Sequence, residues 1–543
     1  MALRPGPSRA PTSPSPAIPF WRDVRVLGVL AQIVFVILMA ASLAWVGNNV
    51  VRGLQALGGA QFLCDDGTSS FRCAFNFMST AASFDIGEKP IDYVTTDSYW
   101  RALTVGMLNT IKVAVVGILL ATVLGTFTGI AVLSNNWLLS RLAAGYIDII
   151  RNTPLLVQLF FLYFAVILQL PPLKDSLQPG LGIILSQRGI ALPWPVFTSS
   201  FPAWLAFVVL GLIQFQILLL VLAQREQQTG KPTNRWLWAT LSGLAVIVAG
   251  WFLVVNFSDN QAVLVTRASR IAQARNTLAG LEAVALKRLS VPRLTPEALE
   301  KVEAPTLAAA ALKVCVLQDS PAEPNFAAQL NSQNIPFQMN RFDRPDLAGK
   351  AYGEKECEVF VGDRAMLAAE RSALENPDSH LLAPIAEYPV VMSAPKLEGL
   401  NLVGGTRLTP EFAAILLGLV IYTAAFIAEI VRAGIQAVAR GQSEAARALG
   451  LTEGQRLRLV VLPQALRVII PPLTSQYLNL TKNSSLAIAV AYPDLVAVTN
   501  TILNQSGRAV QVVALVMLSY LAVSLSISAL LNWYNRRVAL VER

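Results

Sequence analysis

Seven runs of mostly apolar residues, each long enough to cross a bilayer, constrain this chain more than any other feature. They lie near Val26–Val46, Leu103–Leu133, Leu142–Leu170, Pro202–Ala223, Trp236–Phe257, Glu411–Val431 and Val510–Trp533. A membrane helix needs about 20 such residues, and in lipid only helices or closed barrels satisfy their own backbone groups. An eighth run, near Leu459–Leu480, contains Pro463, Pro471 and Pro472 and is expected to be kinked or broken. Of 543 residues, 54% are hydrophobic and 14% charged, where a soluble domain carries about 25% charged residues. This excludes a disordered chain, a basic nucleic-acid-binding domain and an ordinary cytosolic enzyme. The expected class is an all-α polytopic membrane protein with about eight spans and one small α/β insertion.

The positive charges orient the spans. Arg4, Arg9, Arg22 and Arg25 precede the first run, and Arg225, Lys231 and Arg235 lie between the fourth and fifth. Arg432, Arg440, Arg447, Arg456 and Arg458 follow the sixth, and Arg536 and Arg537 follow the last. With eight spans these all fall on one side. Both termini and the 432–458 loop are then cytoplasmic, and the loops near 47–102, 171–201 and 258–410 are outside. The formal charge of +9 is accounted for this way, without a nucleic-acid partner. Residues 1–20, rich in Pro and Ser, read as a disordered cytoplasmic tail rather than a cleaved signal. Spans one to five occupy 21–257. Spans six to eight occupy 411–543, with a cytoplasmic loop at 433–460. In the outer segment, Cys64 and Cys73 are a disulfide candidate, two unpaired thiols being the alternative.

Residues 258–410 carry charges of both signs and no stretch that could span. Leu264, Ile271, Leu278 and Leu281 recur near helical spacing, which predicts a helical stalk over Arg267–Glu300. Beyond it, strands are expected at Lys313–Gln318, Pro336–Phe342 and Glu356–Gly362. Helices are expected at Asn325–Asn334, Pro345–Tyr352 and Asp363–Glu375. Strand and helix in turn imply an α/β unit with a mainly parallel sheet. The wording VCVLQDSPAE (Val314–Glu323), CEVFVGDRAMLAAERSAL (Cys357–Leu374) and NPDSHLLAP (Asn376–Pro384) resembles the second lobe of periplasmic amino-acid-binding proteins, over about 313–395. The resemblance implies that Asp363 stands where that family holds the ligand ammonium, and that Ser320 lies in the turn that helps hold the carboxylate. Asp319 and Pro321 depart from such a turn: a carboxylate repels a carboxylate, and proline has no N–H. Two readings stand, a remnant used for docking or spacing and a lobe that still binds an amino acid. The first is preferred.

The most informative stretch is Ala428–Ala465. Gln442–Leu449 reads as a short helix, with Ala445, Ala446 and Ala448 as strong helix formers. Gly450 suits the left-handed position after it, and Thr452 with Gln455 reads as a capping box for a second helix. Glu444 offers a carboxylate at the rim. Glu444-Ala445-Ala446, then Arg447, Gly450 and Leu462-Pro463, resembles the EAA loop of ABC-importer permeases, whose short helix docks on an ATPase. Arg151–Gln158 (RNTPLLVQ), Thr423–Arg432 and Lys482–Leu486 resemble the polar amino-acid permeases, with closest likeness to the larger permease of general L-amino-acid uptake systems. The binding-protein-like lobe is not part of that likeness.

The resemblance implies a type I importer fold in the inner membrane. It also implies an ATPase dimer holding ATP and Mg, a second homologous permease and a periplasmic amino-acid-binding protein. In the spans, Thr423, Glu429, Gln476, Asn479, Asn483, Ser484 and Arg151 are candidates for the substrate pathway. Structural pairing and helix–helix hydrogen bonds are the alternative for the same residues. No G-x-x-x-x-G-K-[ST], HExxH, CxxC or GxSxG occurs, and His380 is the sole histidine. No catalytic residue, metal site or cofactor of the chain's own is therefore expected. A receptor or channel with an outer amino-acid-sensing lobe is the competing class.

Overall fold

The computed structural model describes residues 24–56, 73–231, 233–274, 276–398 and 401–538. From the N-terminus come helices α1 (Val24–Ala56), α2 (Tyr99–Val132), α3 (Trp137–Asn152) and α4 (Leu155–Phe160), the last continuing as a π-helical stretch, Phe161–Ile167. Strands β1 (Leu177–Gly180), β2 (Ile183–Ser186), β3 (Gly189–Leu192) and β4 (Trp194–Phe197) lead to α5 (Phe201–Thr229) and α6 (Arg235–Phe257). The insertion begins with β5 (Gln261–Thr266), α7 (Arg270–Gln273), α8 (Thr277–Leu289), α9 (Pro296–Glu300) and α10 (Ala304–Ala310). It continues with β6 (Leu312–Leu317), α11 (Ala322–Ser332), β7 (Phe337–Phe342), α12 (Pro345–Gly353), β8 (Val359–Asp363) and α13 (Arg364–Ala373). Strands β9 (His380–Pro384), β10 (Val390–Ser393), β11 (Lys396–Glu398), β12 (Asn401–Val403) and β13 (Thr406–Leu408) close it. The chain ends with α14 (Pro410–Gln436), α15 (Arg440–Ala448), α16 (Glu453–Arg456), α17 (Leu462–Asn483), α18 (Leu495–Ser506) and α19 (Ala509–Val538). Among the described residues, 7 helices are long and apolar enough to cross a membrane, or 8 if the interrupted α3–α4 pair counts as one span.

The interruption falls elsewhere than the prolines near 471 suggest. The helical stretch Glu453–Val490 is of span length, and α17 runs unbroken through Pro471 and Pro472. Two missing N–H donors are tolerated there, as they often are in membrane helices. The third run is the one that divides. Pro154 disfavours a helical Thr153, and Thr153 is extended (φ −105°, ψ 129°), ending α3 before α4 begins.

The chain divides into two compact units, residues 1–155 with 419–543, and residues 156–418. In the first unit α2 and α14 meet backbone to backbone. A Cβ on Gly125 would stand 2.8 Å from the Ala424 carbonyl oxygen, and one on Gly129 would stand 2.6 Å from that of Ala428. Gly-x-x-x-Gly against Ala-x-x-x-Ala is how membrane helices approach without side chains between them. The short α18 is not a span. Asp494 caps it by accepting from the Ala497 N–H at 2.8 Å, and Gly106 of α2 lies against its start. Cys73 is disulfide-bonded; Cys64 lies outside the described residues.

In the second unit, α5 and α6 form a close hairpin. A Cβ on Gly211 would stand 2.7 Å from the Gly243 carbonyl oxygen. The insertion folds around a five-stranded sheet of order β7-β6-β8-β5-β9. It is mixed rather than mainly parallel: β6 pairs parallel with β7 and β8, while β5 pairs antiparallel with β8 and β9. The expected stalk is not there. The chain leaves α6 at Phe257 and enters the sheet at once as β5, whose Val263 and Val265 are fully buried. Leu281, Ala285 and Leu289 of α8 then cover the same core. A disulfide joins Cys315 of β6 to Cys357 just before β8, with Cα atoms 5.6 Å apart. The sequence reading missed this pair, since the two cysteines are 42 residues apart and only the sheet makes them neighbours.

The fully buried Glu387 fastens this sheet domain to the α5–α6 hairpin. Its Oε1 accepts from the Ser199 hydroxyl at 2.7 Å and the Ser200 N–H at 2.9 Å, and its Oε2 accepts from the Ser258 hydroxyl at 2.7 Å. Ser200 caps the start of α5 and Ser258 the end of α6, so one carboxylate grips both helix ends. The partial positive charge of the α5 N-terminus favours it there.

Candidate functional site

The loop after α14 is built almost wholly from local backbone chemistry. The nine residues of α15 end in a double closure: Gly450 N–H donates to the Arg447 carbonyl at 2.9 Å, and Leu451 N–H donates to the Ala446 carbonyl at 3.2 Å. Gly450 sits at φ +76°, the left-handed conformation that closure requires. Thr452 and Gln455 then form the capping box of α16, with the Thr452 N–H 2.9 Å from Gln455 Oε1. Arg456 Nη1 donates to Ser443 Oγ at 2.8 Å and Arg456 Nη2 lies 2.5 Å from Glu453, which also accepts from Arg447 at 2.9 Å. Thus α15 is tied to α16, which runs on through a π-helical stretch, Leu457–Val461, into α17. Leu462 and Pro463 open α17 directly after the π-helical stretch, so the irregular backbone lies next to the residue that lacks an N–H.

Only one face of α15 turns to its own chain. Ala446 is buried, whereas Glu444, Ala445, Arg447 and Gly450 are exposed and Leu449 is 81% exposed. Glu444 makes no ion pair among the described residues. An exposed leucine and a carboxylate without an ion pair, on a short helix tied to α16, can seat in an apolar groove with a basic rim. Ser443 and Leu449 were missed at the sequence level, because a serine tie and a leucine knob have no motif of their own.

The membrane candidates fall into two groups. Glu429 and Arg432 form a two-pronged pair, Nη2–Oε1 2.5 Å and Nε–Oε2 2.9 Å, and Arg432 also donates to Gln436 at 2.8 Å. Ser484 donates to the Thr481 carbonyl at 2.7 Å and Thr423 is buried. The exposed Arg151 stands over the Phe426 ring, 5.2 Å from its centroid. Gln476, Asn479 and Asn483 differ: they recur at i, i+3 and i+7 along α17 and so share one face. Gln476 and Asn483 are half-buried and Asn479 is exposed.

The two outer-lobe candidates do not share a site. Ser320 follows β6 and lines a cleft beside α11, whereas Asp363 ends β8 and lines a separate shallow depression with Asp259 and Asn260. Burial, and then the nearby Glu387 charge, push the Asp363 carboxyl up from its ordinary range. Among the described residues, no group of three or more His, Cys, Asp or Glu could hold a metal ion.

A family model described as a binding-protein-dependent transport system inner membrane component matches residues 399–540. The chain is 32% identical over 521 residues to a general L-amino acid transport system permease protein, AapQ, of Rhizobium johnstonii, covering 96% of this chain and 94% of that one. It is 33% identical over 522 residues to a glutamate/glutamine/aspartate/asparagine transport system permease protein, BztB, of Rhodobacter capsulatus, covering 96% of each. A glutamate/aspartate import permease protein, GltJ, of Escherichia coli is 40% identical over 129 residues, 24% of this chain and 52% of that one. Alignments over more than 520 of 543 residues run through the outer insertion. The lobe is therefore shared with these long relatives, which corrects the expectation that it lies outside the likeness.

Proposed function

The chain belongs to the permease subunits of ABC-type amino-acid transport systems, and on that premise we propose that residues 440–463 are the element through which a separate ATPase drives its transport cycle. The protein is a multi-pass inner-membrane permease subunit of an amino-acid importer, and ATP is hydrolysed on a partner subunit. A receptor or channel is not favoured, since the relatives matched over nearly the whole chain are permeases.

The carrying observation is the exposed face of α15 on a helix tied to α17. A groove on the ATPase holds Leu449 and the small alanines, and a basic group at its rim takes Glu444. Burying Leu449 contributes about 2 kcal/mol. When the ATPase dimer closes on ATP and Mg, it displaces α15. The Ser443–Arg456–Glu453 ties pass that displacement into α17, which carries Gln476, Asn479 and Asn483 on one face. Those three amides line the pathway and meet a zwitterion with donors and acceptors but no net charge. Glu429 and Arg432 neutralise each other on the α14 face, and Arg151 braces Phe426.

A second homologous permease completes the pathway and a soluble amino-acid-binding protein delivers the cargo. The disulfide within the insertion fits an oxidising, outer location for it, with α15 and both termini cytoplasmic. Co-purification from mild detergent tests the reading. An ATPase recovered with the intact chain and lost with Leu449→Asp supports it. Equal recovery with both, or with neither, sinks it.

A further inference from the structure

The insertion has a cleft of about 620 Å³ between its α11–β7 edge and two ribbons, β4 with β10 and β11 with β12. That size is typical of small-molecule sites. Four charged side chains line it, two paired with each other and two not. Arg341 is committed to Glu323, with Nη2–Oε1 2.6 Å and Nε–Oε1 2.9 Å. Asp319 and Lys396 form no ion pair among the described residues, which leaves one anion and one cation facing the same space.

Both are exposed, and each has one local constraint. Asp319 sits at φ +59°, in a turn closed by the Ser320 N–H to the Leu317 carbonyl at 3.3 Å. Aspartate tolerates that left-handed conformation better than most side chains do, which suits it to this turn. Lys396 Nζ lies 5.1 Å from the centroid of the Phe337 ring, a cation resting on an aromatic wall. Met339 and Met392 add apolar, adaptable surface beside it.

We propose that this cleft binds a free amino acid, its ammonium at Asp319, its carboxylate at Lys396 and its side chain against Phe337, Met339 and Met392. A single anion and a single cation complement a zwitterion and no singly charged solute. The turn after β6 then serves an ammonium rather than a carboxylate, the reverse of what the binding-protein resemblance implies for Ser320. This site is separate from the pathway on α17 and does not depend on the coupling reading.

The test uses the full chain in lipid nanodiscs, without ATPase or binding protein. Hydrogen exchange is followed by mass spectrometry at the amides of 318–320 and 401–405. An equimolar mixture of the twenty L-amino acids at millimolar concentration is expected to slow exchange there several-fold. Asp319→Asn and Lys396→Met each remove that protection, and so does replacing the mixture by N-acetylated amino acids or by amino-acid amides. No protection in the unaltered chain overturns the proposal. So does protection that persists in both variants, or that the N-acetylated mixture reproduces.

Discussion

The α15 loop and the outer lobe place their defining residues by opposite means. In the loop, every contact that shapes the helix spans thirteen residues or fewer: Gly450 to Arg447, Thr452 to Gln455, Arg456 to Ser443. In the lobe, β5 must find β9 more than a hundred residues later, Cys315 must find Cys357, and Glu387 must reach back to Ser199 across 188 residues. The loop is a pre-set shape offered to a partner. The lobe is a cooperative fold whose sites exist only after distant segments meet. Changes in the loop should therefore remove transport without unfolding anything, and changes in the lobe should loosen structure first.

The largest effect tests the loop. Gly450→Pro forbids the left-handed residue that closes α15, and Glu444→Lys reverses the charge at its rim. Uptake into cells should fall to background for both, with membrane levels unchanged on a quantitative blot. Normal uptake by both would erase the distinction between the regions. In the lobe, replacing Cys315 and Cys357 together by serine frees a loop of 42 residues, a loss of about 4 kcal/mol by chain entropy. Limited proteolysis should then cut within 258–410 while ATPase recovery with the chain persists. Glu387→Ala strands two hydroxyls and one N–H and should cost about 3 kcal/mol, whereas Glu387→Gln should cost less. Thermal melting of the two variants separates these.

Asp494 lies between the extremes, being a local cap that is also fully buried. Burial raises its carboxyl to about 6. The folded state then favours the neutral acid, so this stabilisation is complete below about pH 4 and is lost as pH rises through 6. Asp494→Asn keeps the cap and should flatten the melting temperature between pH 4.5 and 7.5; an unchanged slope would count against the assignment. The smallest effect is Ser443→Ala, which removes one hydrogen bond to Arg456. It should cost about 1 kcal/mol and slow uptake a few-fold, measured as initial rate.

The same contrast explains what could be read from the chain alone. The spans were legible because hydropathy needs no partner, and the loop because its caps are spelled within a few residues. The lobe's central strand was not. Leu264 fits a helical spacing with Ile271 and Leu278 as well as it fits a strand, and only the edges of β8 and β9 decide between them. Pro154, within RNTPLLVQ, follows the end of a helix, while Pro471 and Pro472 lie inside one that runs on through them. Their consequences depend on neighbours, and a list of residues does not supply those. Asp319 and Lys396 are 77 residues apart, and nothing short of the folded ribbon brings them to one cleft.

The contact of Gly125 and Gly129 with Ala424 and Ala428 leaves no room for even one methyl group. Two rods touching so closely cannot slide past each other without collision, so a rearrangement that keeps this contact carries them as one piece. Whatever opens and shuts for the cargo has to hinge at other joints, and a glycine-to-alanine exchange at either position should wedge the pair apart and lower the melting temperature.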